Sequence, residues 1–385
     1  MLAAALVAAV GVFYLRPWRA LTPSPSPSAS ASARPAVVVQ QLQFVSASAG
    51  WVMAGGPTAA ALFHTTDAGR HWQRQLDGGP DGAWAFSFFD AGRGVVYVAG
   101  QRGPELMRTT DAGQHWTRRA MTCQTQPQLV FFLDLDHGWC VAPSGVSPAG
   151  PVFFPARQEI ALYRTADGGL DWSRVLATGP GQPASGGLGD DGQKSWIWFQ
   201  DASTGWIGQD TPGGHAVVFA TTDAGDHWSR QELPPPDGGW GSILGTLEDS
   251  PPDRGSTPSV VVSSLAPGPG QDVYRLAGRY VHTWRAQGWT VPVQVPNGLV
   301  TIGGPDRWYV VTGSSLLGST DQGENWTTLD APPPGWQLFR LTMVDPDHGW
   351  ATLSRPDRSA PRISATGLAR TADGGRHWAL VTPPS

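Results

Sequence analysis

Eight charged residues stand outside the regular pattern of this chain: Arg157, Asp190, Asp191, Lys194, Arg355, Asp357, Arg358 and Arg362. A pair of carboxylates flanking a glycosidic bond can act as acid and base, and Asp191 with Asp357 would be such a pair. Nothing in their spacing brings the two together, and the plain alternative is that all eight lie in solvated insertions. No Gly-x-Ser-x-Gly elbow, Walker loop or dinucleotide fingerprint occurs. The sequence therefore assigns no catalytic residue and no cofactor.

The nine histidines give no metal site. His71, His115, His227 and His377 fill one slot of a repeated motif. His137 and His348 fill another slot, before Gly-Trp. A residue that returns once per repeat is read as structural. His64, His215 and His282 are scattered and show no ligand spacing. The recurrent Asp-x-Gly is shared with calcium-binding loops, but it lacks the surrounding carboxylates that such a site needs.

The motif that absorbs these residues is Ser/Thr-x-Asp-x-Gly-x-x-Trp, present six times. Its Asp, Gly and Trp positions are Asp67, Gly69 and Trp72; Asp111, Gly113 and Trp116; Asp167, Gly169 and Trp172; Asp223, Gly225 and Trp228; Asp321, Gly323 and Trp326; Asp373, Gly375 and Trp378. Copies recur every 44–56 residues, except for one gap of 98 between Asp223 and Asp321. A degenerate copy at Tyr274–Arg279, with the aspartate lost, fills that gap and makes seven units. The hydroxyl and carboxylate can bond backbone N–H groups of a tight turn. Gly supplies a backbone conformation that other residues resist, and Trp buries a large ring beside the hairpin.

A second marker precedes each motif: an apolar strand, an acidic turn, then Gly-Trp, as in Phe131–Trp139 and Leu341–Trp350. Phe88-Phe89-Asp90 and Gly304–Trp308 are looser versions. Each unit thus reads as four short antiparallel strands, the blade of a propeller. The fold class is all-β, a seven-bladed β-propeller. The motifs and acidic turns fall on one face of the disc. Three long segments, Ala142–Glu159, Ala177–Lys194 and Ser354–Gly367, fall on the other and carry the eight charged residues. Trp240 and Trp336 follow Pro-rich segments; they would pack in the core or stack on a sugar. Val37–Val39 could cross over as a clasp strand.

Composition bounds the rest. The net charge of −5 carries no basic face and excludes a general nucleic-acid binder. Residues 1–20 are an apolar signal or anchor segment, 21–36 a Pro/Ser/Ala spacer, and 37–385 the propeller. That layout is expected of an extracytoplasmic protein, tethered or secreted, that meets a membrane through its N-terminal segment only. Cys123 and Cys140 either form one bridge or are two small buried residues.

The repeated motif resembles the Asp-box, or bacterial neuraminidase repeat, over residues 41–382. Sialidases of this type open an arginine triad with Arg-Ile-Pro, which is absent here. The chain is most similar to the photosystem II assembly factor-like propellers, whose repeat has the form of Arg164–Trp172 and Arg370–Trp378. That resemblance implies a lone propeller without enzymatic activity, binding a protein partner or assisting assembly at the membrane. The alternative is a glycan-binding protein or glycoside hydrolase on a sialidase-like propeller.

Overall fold

The computed structural model describes residues 37–384, except 57–58, 78–82, 101–102, 124, 127–128, 147–156, 180–184, 211–214, 241–242, 249–258, 268–273, 287, 313–314, 331 and 356–364. The N-terminal segment, the spacer, Asp357, Arg358 and Arg362 lie outside the described residues. Among those described, no helix is long and apolar enough to cross a membrane.

The strands form seven antiparallel sheets in chain order. Blade one runs from Val38 to Asp77, two from Ala83 to Ala120, three from Val130 to Ala177 and four from Gln193 to Glu232. Blade five runs from Ile243 to Val295, six from Leu299 to Leu329 and seven from Gln337 to Val381. First strands of neighbouring blades touch, so they line the axis and the fourth strands form the rim. Burial follows from this position. The second strand of blade four, Gly205–Asp210, is buried at every residue because neighbouring blades cover both its faces. The rim strands Thr117–Ala120 and Ser229–Glu232 are mostly exposed. Arg118 and Arg230 on them discourage further strand pairing.

The Gly-Trp marker has a packing reason. A Cβ on Gly50, Gly94, Gly138 or Gly205 would sit 2.4–2.5 Å from the ring of Phe44, Phe88, Phe132 or Phe199, respectively. Each ring ends the first strand of its own blade and folds over the bare glycine. Three of the four then meet the Trp of the preceding blade: Phe88 stacks on Trp51 at 3.5 Å, Phe199 on Trp139 at 3.7 Å and Phe44 on Trp350 at 3.6 Å; before Phe132, blade two has Val95 in that place. The marker is thus an inter-blade joint.

Polar joints accompany it. Gln41 donates its amide to the Phe86 carbonyl at 2.9 Å and accepts from the Phe86 N–H at 3.1 Å. Gln43 does the same at Phe88, at 3.0 and 2.8 Å. Two side chains thus stand in for a strand against the open inner edge of blade two.

The ring closes without strand exchange. Val38 and Val39 belong to blade one's own first strand, and blade seven supplies its own fourth strand, Ala379–Val381. No clasp strand forms from Val37–Val39. The Phe44–Trp350 stack and a Trp72 indole N–H bond to the Thr382 carbonyl at 3.1 Å join the two ends.

Two blades depart from the expected register. Tyr274–Arg279 is no turn; it lies inside the long third strand of blade five, Tyr274–Arg285. Thr283, paired with Ser259, occupies the place that Thr221 holds opposite Gly205. The degenerate turn therefore follows Arg285, and Trp289 is its tryptophan. In blade six Trp308 pairs with Ser319, as Gly349 pairs with Thr371. Trp308 thus fills the glycine slot and Tyr309 the tryptophan slot. Because side chains alternate between faces, Trp308 turns towards the valines of blade five and Tyr309 meets Met343 of blade seven.

Candidate functional site

The six motifs are built alike. In the first, the Thr65 hydroxyl donates to Asp67 Oδ1 at 2.9 Å and accepts the Gly69 N–H at 2.9 Å. Asp67 also accepts the His71 N–H at 2.9 Å and faces His71 Nδ1 at 2.6 Å. Ala68 and Gly69 both take positive φ, 61° and 83°. The backbone N–H of His71 and its ring hold the Asp67 carboxyl well below its usual range. The same causes hold Asp111 at about 2. Desolvation opposes the shift at Asp373, yet bonds from His377 still bring it to about 2. His137 and His348 sit in the acidic turns, 3.0 Å from Asp134 and 2.9 Å from Asp345. These carboxylates and imidazoles satisfy one another and the turns. Among the described residues no group of three or more His, Cys, Asp or Glu could hold a metal ion.

The other three histidines divide. His215 lies 3.6 Å from Glu232. His64 is buried and stacks on Trp51 at 4.4 Å. His282 is fully buried, with Nδ1 3.0 Å from the Thr290 carbonyl and Nε2 without a partner. Burial pushes His282 down to about 4. An unfolded chain takes up that proton near its ordinary value of ~6.5, whereas the folded chain refuses it until about 4. Stability is therefore lost as pH falls through this window, by up to about 3 kcal/mol, and the loss is complete below it. Thermal unfolding midpoints should drop between pH 6.5 and 4, and His282→Asn should flatten that part of the profile. An unchanged profile in the variant would refute the assignment.

On the face opposite the motifs, the structure joins four of the eight charged residues. Arg157 bridges Asp191 through the backbone, and its guanidinium lies 3.9 Å from Asp190. Asp191 is exposed, and its Oδ2 accepts from the Gln209 amide at 3.0 Å. Lys194 was expected on an exposed loop but is 1% exposed, inside the first strand of blade four. Its ammonium donates to the Asp191 carbonyl at 2.7 Å and to Gln209 Oε1 at 2.6 Å. Burial pushes it down to about 8, against the attraction of Asp191 and Asp190. Gln158 ties blade three in: its Oε1 accepts the Lys194 N–H at 2.7 Å, and its own N–H donates to the Asp190 carbonyl at 2.7 Å. Two of the three long segments are shorter than expected, because paired strands reach Val146 and start again at Gln158 and Gln193.

Arg355 is remote from this group and lies over the Trp336 ring at 4.3 Å. Trp240 is core, 5% exposed. Cys123 and Cys140 are bonded, both fully buried, and join the crossover after blade two to the second strand of blade three. Sequence reading missed Gln158 and Gln209. The available signal was the repeat itself, which puts apolar residues where Lys194 and Gln209 stand.

Residues 30–178, a stretch that takes in blades one to three, match the family model described as photosynthesis system II assembly factor YCF48. No curated protein sequence matches the chain. Among solved structures, "YCF48 bound to D1 peptide" aligns with a TM-score of 0.54 at 16% identity, covering 88% of this chain and 92% of that one. YCF48 from Cyanidioschyzon merolae gives 0.50 at 14% identity, covering 89% and 97%. A GH74 xyloglucanase from Xanthomonas campestris gives 0.55 at 14% identity over 89% of this chain, which spans about half of that enzyme (52%). The chain is a seven-bladed propeller of the Asp-box type, and the YCF48 family model matches the part that holds its first three blades.

Proposed function

We propose that the protein is a non-enzymatic extracytoplasmic propeller that binds a protein partner, or assists its assembly, beside a membrane. The observation that carries this reading is the match of residues 30–178 to the YCF48 family model. The YCF48 solved with a D1 peptide gives the same direction. Export is supported by the Cys123–Cys140 bridge, since such bonds persist in oxidising compartments. Rigid scaffolds with ligands on their loops suit binding without chemistry.

The full chain, with its N-terminal segment and a C-terminal affinity tag, should cross-link in intact cells to a defined membrane-associated protein. The same protein should stay silent on a panel of chromogenic glycosides and glycans. Turnover of any glycoside, with loss on Asp191→Asn, would overturn the reading in favour of the hydrolase. Cross-linking no better than an unrelated exported propeller would remove the partner.

A further inference from the structure

The chain holds two asparagines, Asn297 and Asn325. They differ in each respect that governs attack on a side-chain amide by the next backbone nitrogen. Asn297 precedes Gly298, which has no Cβ to hinder the approach. It is exposed, lies in a bend outside any strand, and its carboxamide has no hydrogen bond among the described residues. The Gly298 N–H bonds to no backbone carbonyl among them either. Asn325 is exposed too, but it precedes the bulky Trp326. Its carboxamide donates to Asp321 Oδ2 at 2.8 Å, and its backbone N–H donates to Oδ1 at 2.9 Å. The motifs supply a second comparison. Asp167-Gly168 and Asp373-Gly374 are doublets of the same shape, yet their glycine N–H groups donate to the Asp136 and Asp347 carbonyls at 2.9 and 2.8 Å. Their side chains are carboxylates, and like charge opposes attack by a deprotonated nitrogen.

We infer that Asn297 is a site of spontaneous deamidation in the folded protein, and that the isoaspartyl product weakens the joint between blades five and six. The Gly298 nitrogen, after losing its proton to hydroxide, attacks Asn297 Cγ. The N–Cγ bond forms, the Cγ–Nδ2 bond breaks, and the amide leaves as ammonia with a proton taken from water. Water then opens the five-membered imide at one of its two carbonyls. Opening at Cγ leaves aspartate. Opening at the main-chain carbonyl leaves isoaspartate, in which the chain runs through Cβ and Cγ and is longer by one carbon.

The crossover has no slack for that carbon. Pro296, Asn297 and Gly298 are all that separates Val295, which ends blade five, from Leu299, which starts blade six. Val295 and Val300 are held in one buried apolar cluster with Trp308 and Val310. A Cβ on Gly298 would lie 2.3 Å from the Val311 carbonyl oxygen and 2.7 Å from Val310 Cγ1. The longer chain must therefore push the bend outward and strain the first rung of blade six, Leu299 with Val311. A close-packed interior does not absorb such a shift freely.

The test holds the full chain in mildly alkaline buffer over days, beside a free peptide spanning Val295–Thr301. Peptide mapping with enzymatic methylation of isoaspartate should find the product at Asn297 in the folded protein. It should form more than about tenfold faster than any change at Asn325. The rate should rise about tenfold per pH unit, as the deprotonated nitrogen does. Asn297→Gln should abolish it, because the larger imide ring closes slowly. The isoaspartyl fraction, isolated chromatographically, should melt below fresh protein. Asn297→Asp carries the same charge without the added carbon and should melt with fresh protein. Product in the free peptide but not in the folded chain would overturn the site, because the fold would then protect the doublet. Equal rates at Asn297 and Asn325 would overturn it as well. Equal midpoints for the isoaspartyl protein and Asn297→Asp would overturn the weakening of the joint.

Discussion

Replacing Trp350 with alanine should cost about 3–5 kcal/mol, the range for emptying a large aromatic from a close-packed core. Trp350 is 1% exposed and lies flat on Phe44 at 3.6 Å. Trp51, 0% exposed, makes the same stack with Phe88 at 3.5 Å, and Trp51→Ala should cost a similar amount. The two variants should differ in how they fail. Blades one and two are consecutive in sequence, whereas blades seven and one, among the described residues, share no strand pairing and meet through side chains and the Trp72–Thr382 bond. Trp350→Ala should therefore expose blade one and blade seven to proteolysis below the global transition, and Trp51→Ala should not. Denaturant titration with limited proteolysis reads both quantities. A loss under about 1 kcal/mol in Trp350→Ala would mean that the stack is not the joint we describe.

Removal of the disulfide should have the next largest effect. The bonded cysteines are 17 residues apart, and closing a loop of that size is worth about 3 kcal/mol in the unfolded ensemble. Both sulfurs are buried beside Tyr97, Met121 and Phe132. Tyr97 also donates its hydroxyl to the Thr125 carbonyl at 2.7 Å, pinning the same crossover. Cys123→Ser/Cys140→Ser should unfold at lower denaturant by about that amount. A reductant should act on wild type only at denaturant concentrations that already open the seam between blades two and three. Identical midpoints for wild type and the double variant would show that Tyr97 and the apolar packing hold the crossover alone.

Much of this fold was legible because its determinants are local. The hydroxyl, Asp and Gly of each motif bond within five residues of one another, so six hairpins could be read directly. The blade without the motif could be counted but not placed. Tyr274–Gly278 resembles Tyr163–Gly168 in letters, yet only pairing with Ser264–Pro267 shows that it is strand and not turn. Trp308 misled for a related reason: one residue of register moves a side chain to the other face of the sheet, and a loose marker does not fix register. The glutamine joints at Gln41 and Gln43 were invisible because their partners are backbone atoms 45 residues away. Lys194 looked like a loop residue because Gly189–Gln193 before it is polar. Its burial follows from Gln158 and Gln209, at distances of 36 and 15 residues.

That burial gives the protein a built-in reporter. With one lysine in the whole chain, an amine-reactive reagent has a single side-chain target, and in the folded protein that target is shielded. Acylation of Lys194 can proceed only through molecules in which the bonds of its ammonium to the Asp191 carbonyl and Gln209 have opened. Its rate, compared with that of free lysine at the same pH, therefore gives the population of that opened form directly. Lysine-specific proteases face the same gate, so the folded propeller should resist them and fall into two fragments once the first strand of blade four opens.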